Sequence, residues 1–200
     1  MTEIPDVSSY FRFLSRTMNK LPLRIIKQIA ETIVHAYQRE STIYLFGNGG
    51  SAALASHLAC DLGKGTVNGN SKRLRVLALT DNVPLMTAWA NDSRYEDIFA
   101  EQLSNLVRPD DVAFAISGSG NSPNILRALK VAREAGAITV GLSGFAGGKM
   151  RELCDQCMIV PCDNMQIIED LHLCAAHALF TAVQASICHP MEAVGLAVGD

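Results

Sequence analysis

Charge is scarce in this chain. Asp, Glu, Lys and Arg make up 18% of its 200 residues, and 17 basic against 20 acidic side chains leave a formal net charge of -3. With no cationic surplus to meet a phosphate backbone, an electrostatic nucleic-acid surface is excluded and no nucleic-acid partner is expected. Disorder is excluded as well, because 48% of the residues are hydrophobic and a disordered chain needs low hydrophobicity with high net charge. Long apolar runs are missing too. The stretch from Leu171 to Cys188 is broken by His172, His177, Thr181, Gln184 and Ser186, whereas a spanning helix wants about 20 mostly apolar residues. No membrane partner is therefore expected. The opening MTEIPDVSSYFRFLSRTMNK lacks the charged start and apolar core of a secretory signal, which predicts a cytoplasmic protein.

Cysteines number only six, at Cys60, Cys154, Cys157, Cys162, Cys174 and Cys188, and in a cytoplasmic setting they read as reduced thiols. Cys154 and Cys157 lack the second pair that a structural zinc site needs, and Cys162 alone does not supply it. They are expected to be buried structural thiols. The single tryptophan, Trp89, sits among Met86, Ala88 and Ala90 and is expected in the core rather than as a sugar-stacking platform. Repeats, linkers and low-complexity segments are absent, so residues 1–200 are expected to form a single domain. A mean hydropathy of +0.16 is a little high for one small core.

What is present is an alternating pattern. The first forty residues are helical by periodicity: Tyr10, Phe11, Leu14 and Met18 recur at helical spacing, and after Pro22 the residues Ile25, Ile26, Ile29, Ile33, Val34 and Tyr37 form an apolar stripe. These helices have no evident sheet partner and are expected to pack on a second subunit. From 41 to 188, strands near 42–46, 74–79, 111–116, 137–142 and 157–160 alternate with helices near 52–62, 83–106, 123–135 and 166–187. A short helix follows the fourth strand. That order predicts an α/β fold: a doubly wound, five-stranded parallel sheet flanked by helices, with ligand loops at the carboxyl ends of its strands.

Two of those loops are rich in glycine and serine: Gly47-Asn48-Gly49-Gly50-Ser51 and Ser117-Gly118-Ser119-Gly120-Asn121-Ser122. Glycines let the backbone approach an anion, helix N-terminal amides point at it, and serine hydroxyls add donors without charge. Either loop alone is also an ordinary turn with a helix cap; both together favour a phosphate or phosphosugar. Neither is followed by the lysine of a P-loop. The first fits G-x-G-x-x-A, yet its nearest acidic candidate, Asp81, lies about 30 residues on rather than about 20, which disfavours a dinucleotide.

GNGGSAA…H…D, TDN…NDSRYEDIF, ISGSGNS and the final Glu-Asp-x-His helix together resemble the sugar isomerase (SIS) fold family, and within it the sedoheptulose 7-phosphate (phosphoheptose) isomerases. The resemblance implies that Ser119 and Ser122 hold the phosphate with Ser117 lining the loop. It also implies that Asn48, Gly49, Ser51, Asn91, Asp92 and Glu169 contact the sugar. A divalent metal, Zn2+, would be held by His57, Asp61, Glu169 and His177, with Asp61 and His177 in acid/base roles. Asp61 stands where the family has Glu, and Glu169 where it has Gln; the second change makes the site more anionic. The implied partners are a small phosphorylated sugar and further copies of the chain, as a homotetramer with shared sites. The alternatives are an isomerase of another sugar phosphate and a non-catalytic SIS scaffold, which lacks the second carboxylate and last histidine kept here.

Two further points come from the residues themselves. His57 and Asp61 are four apart and share a helix face. Glu169 and His177 are about 12 Å apart along a straight helix, so joining both to one metal requires an irregular helix start or subunits that share the site. Taken singly, His35, His172 and His189 read as core or interface histidines.

Overall fold

The computed structural model describes residues 4–69 and 72–188; His189 and the tail lie outside them. Helices α1 (Val7–Met18) and α2 (Leu23–Arg39) precede β1 (Thr42–Gly47), α3 (Gly50–Gly65), β2 (Arg75–Ala78), α4 (Val83–Asp92), α5 (Ala100–Leu106), β3 (Val112–Ser117), α6 (Pro123–Glu134), β4 (Ile138–Ser143), α7 (Met150–Leu153), β5 (Gln156–Ile159) and α8 (Met165–Cys188). All strand pairings are parallel, in the order β2-β1-β3-β4-β5.

Strand alternation sorts the core into two layers. Ile43, Leu45, Val112, Phe114 and Ile116 face α2, α3 and α8, while Tyr44, Phe46, Ala113 and Ala115 face α5 and α6. The strands read as continuous apolar runs because both faces are covered.

The structure changes four expectations. First, α2 does have a sheet partner. Its Ile29, Ile33 and Ala36 are fully buried in the layer under α8, and Thr32 Oγ1 exchanges hydrogen bonds with the Gln156 carboxamide of β5. Only α1 lies on the outside, tied to α8 by the Tyr10 hydroxyl, which donates to Asp170 Oδ2 at 2.6 Å. Second, the helical region expected over 83–106 is broken at Ser93, whose backbone leaves the helix (φ -130°, ψ -97°). The break is held by buried Asp97, which accepts from Ser93 Oγ and pairs with Arg94 and with Arg127 of α6 at 2.6 Å. The Ser93 hydrogen bond, followed by Arg127 and Arg94, holds its carboxyl below the usual carboxylate range. Third, Cys60 and Cys174 are exposed free thiols, and Cys154 and Cys157 are half-buried. A hydrogen bond between the two free thiols of the latter pair raises the pKa of Cys154 and lowers that of Cys157. Fourth, His35 is exposed in the single chain, which removes the core half of its core-or-interface reading and leaves the interface half open. Trp89 packs partly buried against the α5–α6 layer, and His172 is 1% exposed, as expected.

α8 is long and apolar enough to cross a membrane by composition alone. Its Ile167, Ile168, Leu171, Ala175, Leu179 and Val183 are instead spent in the core.

Candidate active site

β1 and β3 are neighbours, and the chain leaves them toward opposite edges of the sheet. A crevice opens beyond their carboxyl ends, the place where open α/β sheets bind ligands. Both glycine-serine loops begin there. In the second, Ser117 Oγ and Ser122 Oγ lie 3.5 Å apart at the start of α6, and Ser119 Oγ accepts from the Asn121 amide. Gly120 has φ +64°, and a Cβ on it would sit 2.1 Å from the Gly147 carbonyl. Only glycine lets this loop press against the loop after β4, where Met150 N–H donates to Gly120 O at 2.9 Å and Lys149 N–H to Asn121 Oδ1 at 3.1 Å. Hydroxyls and helix-start amides thus surround a small space, a setting for an anion that needs no cationic side chain.

From the first loop a groove of about 520 Å³ runs between α3 and α8, lined by Ser51, His57, Glu169, His172 and His177 among others. At its far end three side chains converge. His57 Nε2 lies 2.9 Å from His177 Nε2 and 3.4 Å from Asp61 Oδ2, and His177 Nε2 lies 3.9 Å from the same oxygen. One ligand atom from each falls within 4.8 Å of the others. Two imidazoles and a carboxylate are a donor set that holds a divalent metal while leaving a fourth position open. The two histidine nitrogens are a few tenths of an ångström closer than two zinc ligands sit, at about 3.3 Å in a tetrahedral site, and both side chains are about half exposed, at 48% and 52%, so they have room to part.

Glu169 is not in that cluster. Its carboxylate lies against Gly50, with Oε2 3.5 Å from where a Cβ there would be. It therefore sits at the loop end of the groove, two turns of α8 before His177. Asn91 and Asp92 are exposed at the end of α4 and bonded to each other at 2.8 Å. The segment that carries them reaches the crevice through Tyr95, whose hydroxyl donates to Asn48 Oδ1 at 3.2 Å.

A SIS domain model matches residues 9–144. The phosphoheptose isomerase of Paramagnetospirillum magneticum is 43% identical over 159 residues, 80% of this chain and 82% of the relative. The chain belongs to the SIS-domain phosphoheptose isomerase family. Two solved members of that family, both 29% identical, share its fold. The phosphoheptose isomerase of Neisseria gonorrhoeae superposes with a TM-score of 0.83, covering 89% of this chain and 96% of its own. That of Francisella tularensis gives 0.81, covering 92% and 98%.

Within this phosphoheptose isomerase frame, three groups escaped the sequence reading. Asn124, 1% exposed, exchanges two hydrogen bonds with Asn48. Tyr95 and the Asp97–Arg127 pair fix the NDSRYED segment to α6. Asn124 did leave a trace, as a polar residue just ahead of the apolar stripe Ile125, Ala128, Leu129 and Ala132. The Asp97–Arg127 pair joins elements 30 residues apart and left none.

Proposed function

We propose that this chain is an aldose–ketose isomerase of a phosphorylated sugar, with sedoheptulose 7-phosphate as the expected substrate. The observation that carries the reading is the convergence of His57, Asp61 and His177 at the groove that starts from the Gly50-Ser51 end of the first glycine-serine loop. Family membership supports the substrate class.

The reaction moves a proton between C1 and C2 of the sugar through an enediol. It needs a base, an acid and a group that steadies the developing oxyanion. Ser119 and Ser122 hold the phosphate, with Ser117 lining the loop. Asn48, Gly49, Ser51, Asn91, Asp92 and Glu169 position the sugar chain, Glu169 from beside Gly50. Anchoring the phosphate fixes C1 and C2 along the groove, which makes proton transfer a step within a single complex. His57 Nε2 and His177 Nε2, 2.9 Å apart, cannot both carry a proton, so one ring holds it and the other accepts. Asp61 and His177 are assigned the acid/base roles, each only in a state where the atom that moves the proton does not hold the metal. His57, Asp61 and His177 would hold a zinc ion, whose charge when bound supplies polarisation of the sugar carbonyl. Glu169 joins that set only through movement of the first turns of α8 or through a shared subunit boundary. The substitutions at Asp61 and Glu169 keep oxygen ligands at both places.

The same reading takes residues 1–200 as a single SIS unit of cytoplasmic carbohydrate metabolism that works as a homotetramer. The test is metal analysis of the purified protein together with isomerisation assays on sugar phosphates of five to seven carbons. Turnover of sedoheptulose 7-phosphate is expected. His177→Ala is expected to lower turnover by at least about 10²-fold while sparing sugar-phosphate binding. A variant that keeps its turnover would remove His177 from the chemistry. Metal without turnover on any sugar of the panel would point to a different substrate, and the absence of both metal and turnover would overturn the isomerase assignment in favour of a scaffold.

A further inference from the structure

We propose that Asn124 and Tyr95 are positioning residues that lock the Asn48 carboxamide as a pure hydrogen-bond donor toward the ligand. This rests on the phosphosugar reading of the same crevice and adds to it how the sugar end is recognised.

The Ile125 backbone N–H can only donate, and it donates to Asn124 Oδ1 at 3.0 Å. That fixes which end of the Asn124 carboxamide is oxygen; turned over, its NH2 would oppose the Ile125 N–H. Asn124 is 1% exposed, so its remaining groups must find partners inside. They find Asn48. Asn124 Nδ2 donates to Asn48 Oδ1 at 2.8 Å, and Asn48 Nδ2 donates back to Asn124 Oδ1 at 3.0 Å. The orientation set by a backbone amide in α6 is thereby copied onto a side chain of the other ligand loop.

Tyr95 completes the set. Its hydroxyl donates to Asn48 Oδ1 at 3.2 Å, so that oxygen accepts twice and its lone pairs are used. The Asn48 carboxamide has one N–H left to offer. Asn48 is therefore built to meet an acceptor, such as a carbonyl, hydroxyl or phosphate oxygen of a sugar phosphate, and to reject a donor in the same place. Three separate parts of the chain must be in register for this: the loop after β1, the start of α6 and the segment after α4. Arg127, one turn into α6 from Asn124, holds Asp97 of that segment at 2.6 Å, so the anchor for Tyr95 and the anchor for Asn48 stand on one helix.

The test uses two variants and two ligands that do not turn over: inorganic phosphate, and the heptitol 7-phosphate made by reducing sedoheptulose 7-phosphate. Tyr95→Phe removes one hydroxyl from an exposed side chain and is expected to leave the melting temperature unchanged. Asn124→Asp replaces the amide donor facing Asn48 with an oxygen. By calorimetric titration, heptitol phosphate affinity is expected to fall about 2- to 10-fold in Tyr95→Phe and about 10- to 100-fold in Asn124→Asp. Inorganic phosphate, which needs only the serine loop, should bind Tyr95→Phe within about twofold of the parent chain. If the two ligands weaken together in Tyr95→Phe, or if neither does, the positioning role is overturned, even where Asn124→Asp fails to fold. A parent chain that binds heptitol phosphate but turns over no sugar sinks the isomerase assignment and leaves the ligand ratio to decide this one. A parent chain that binds neither ligand overturns both.

Discussion

His172 sits on α8 between Glu169 and His177 yet does a different job from the one proposed for them. It is buried at 1% exposure, and its Nε2 donates to the Ser143 carbonyl at 3.0 Å, tying α8 to the end of β4. Burial disfavours the charged ring and pushes its pKa down to about 4, with the Ser143 hydrogen bond opposing in part. In the unfolded chain the ring titrates near its ordinary value of about 6.5. Between those values the unfolded state binds a proton that the folded state refuses, so stability rises with pH across the window. The contribution is full above about 6.5 and is lost as pH falls toward 4, by a few kcal/mol in all at about 1.4 kcal/mol per unit. Urea midpoints at pH 7 and pH 5 should therefore differ, and His172→Gln should shrink the difference. An unchanged difference in that variant would place the pH dependence elsewhere. That His172 belongs to the core was readable from an apolar helix; that its partner is a strand carbonyl 29 residues earlier was not.

Among the elements, α2 separates what periodicity tells from what it leaves open. The stripe Ile26, Ile29 and Ile33 announces a helix with one buried face but not what covers it. The sheet face that takes α2 is made by strands that follow it in sequence and by β5, more than a hundred residues away, and no local pattern encodes that docking. The same limit applies to the broken 83–106 region. Trp89, Leu103 and Leu106 are helix-compatible throughout, and the break comes from Asp97 preferring Arg127 and Ser93 to a helical backbone. The positions of the two glycine-serine loops, by contrast, were legible, because glycine and serine between a strand and a helix mark the turn and the helix start. The contents of the groove were legible in part: the i, i+4 pair His57–Asp61 was visible, and the reach of His177 to it depends on how α3 and α8 cross. Ile33→Ala checks the placement of α2. A fully buried isoleucine cut to alanine should cost about 2–5 kcal/mol, read from the denaturation midpoint at constant slope. A loss well below 1 kcal/mol would put α2 outside the core.

For the whole molecule, the outstanding question is where the surplus hydrophobicity goes. The parallel sheet, α2 and one face of α8 take most of it. Even so, only 39% of the most apolar stretch of α8 is buried within the chain, and Leu173 on its outer face is 40% exposed. α1 adds Val7 at 73%, Phe11 at 63% and Met18 at 41%, spaced four and seven apart and so on one helix face. Exposed apolar faces of this kind mark interaction sites, and we propose a second copy of the chain as the partner that would cover both helices. Tyr10 of α1 donates a hydrogen bond to Asp170 of α8, which lines the groove, so a neighbour seated on α1 would stand close to the groove. Light scattering is expected to give a mass that is a multiple of 21.6 kDa, about fourfold if closed two-fold contacts pair twice. Val7→Asp with Phe11→Asp puts two carboxylates on that face without touching any group in the groove. The double variant should lose mass toward the monomer, and isomerase turnover should fall with it if the sites need a neighbour to be complete. A variant that becomes monomeric at full turnover would confine each site to one chain, and a parent chain that is already monomeric would leave the α1 face without a partner.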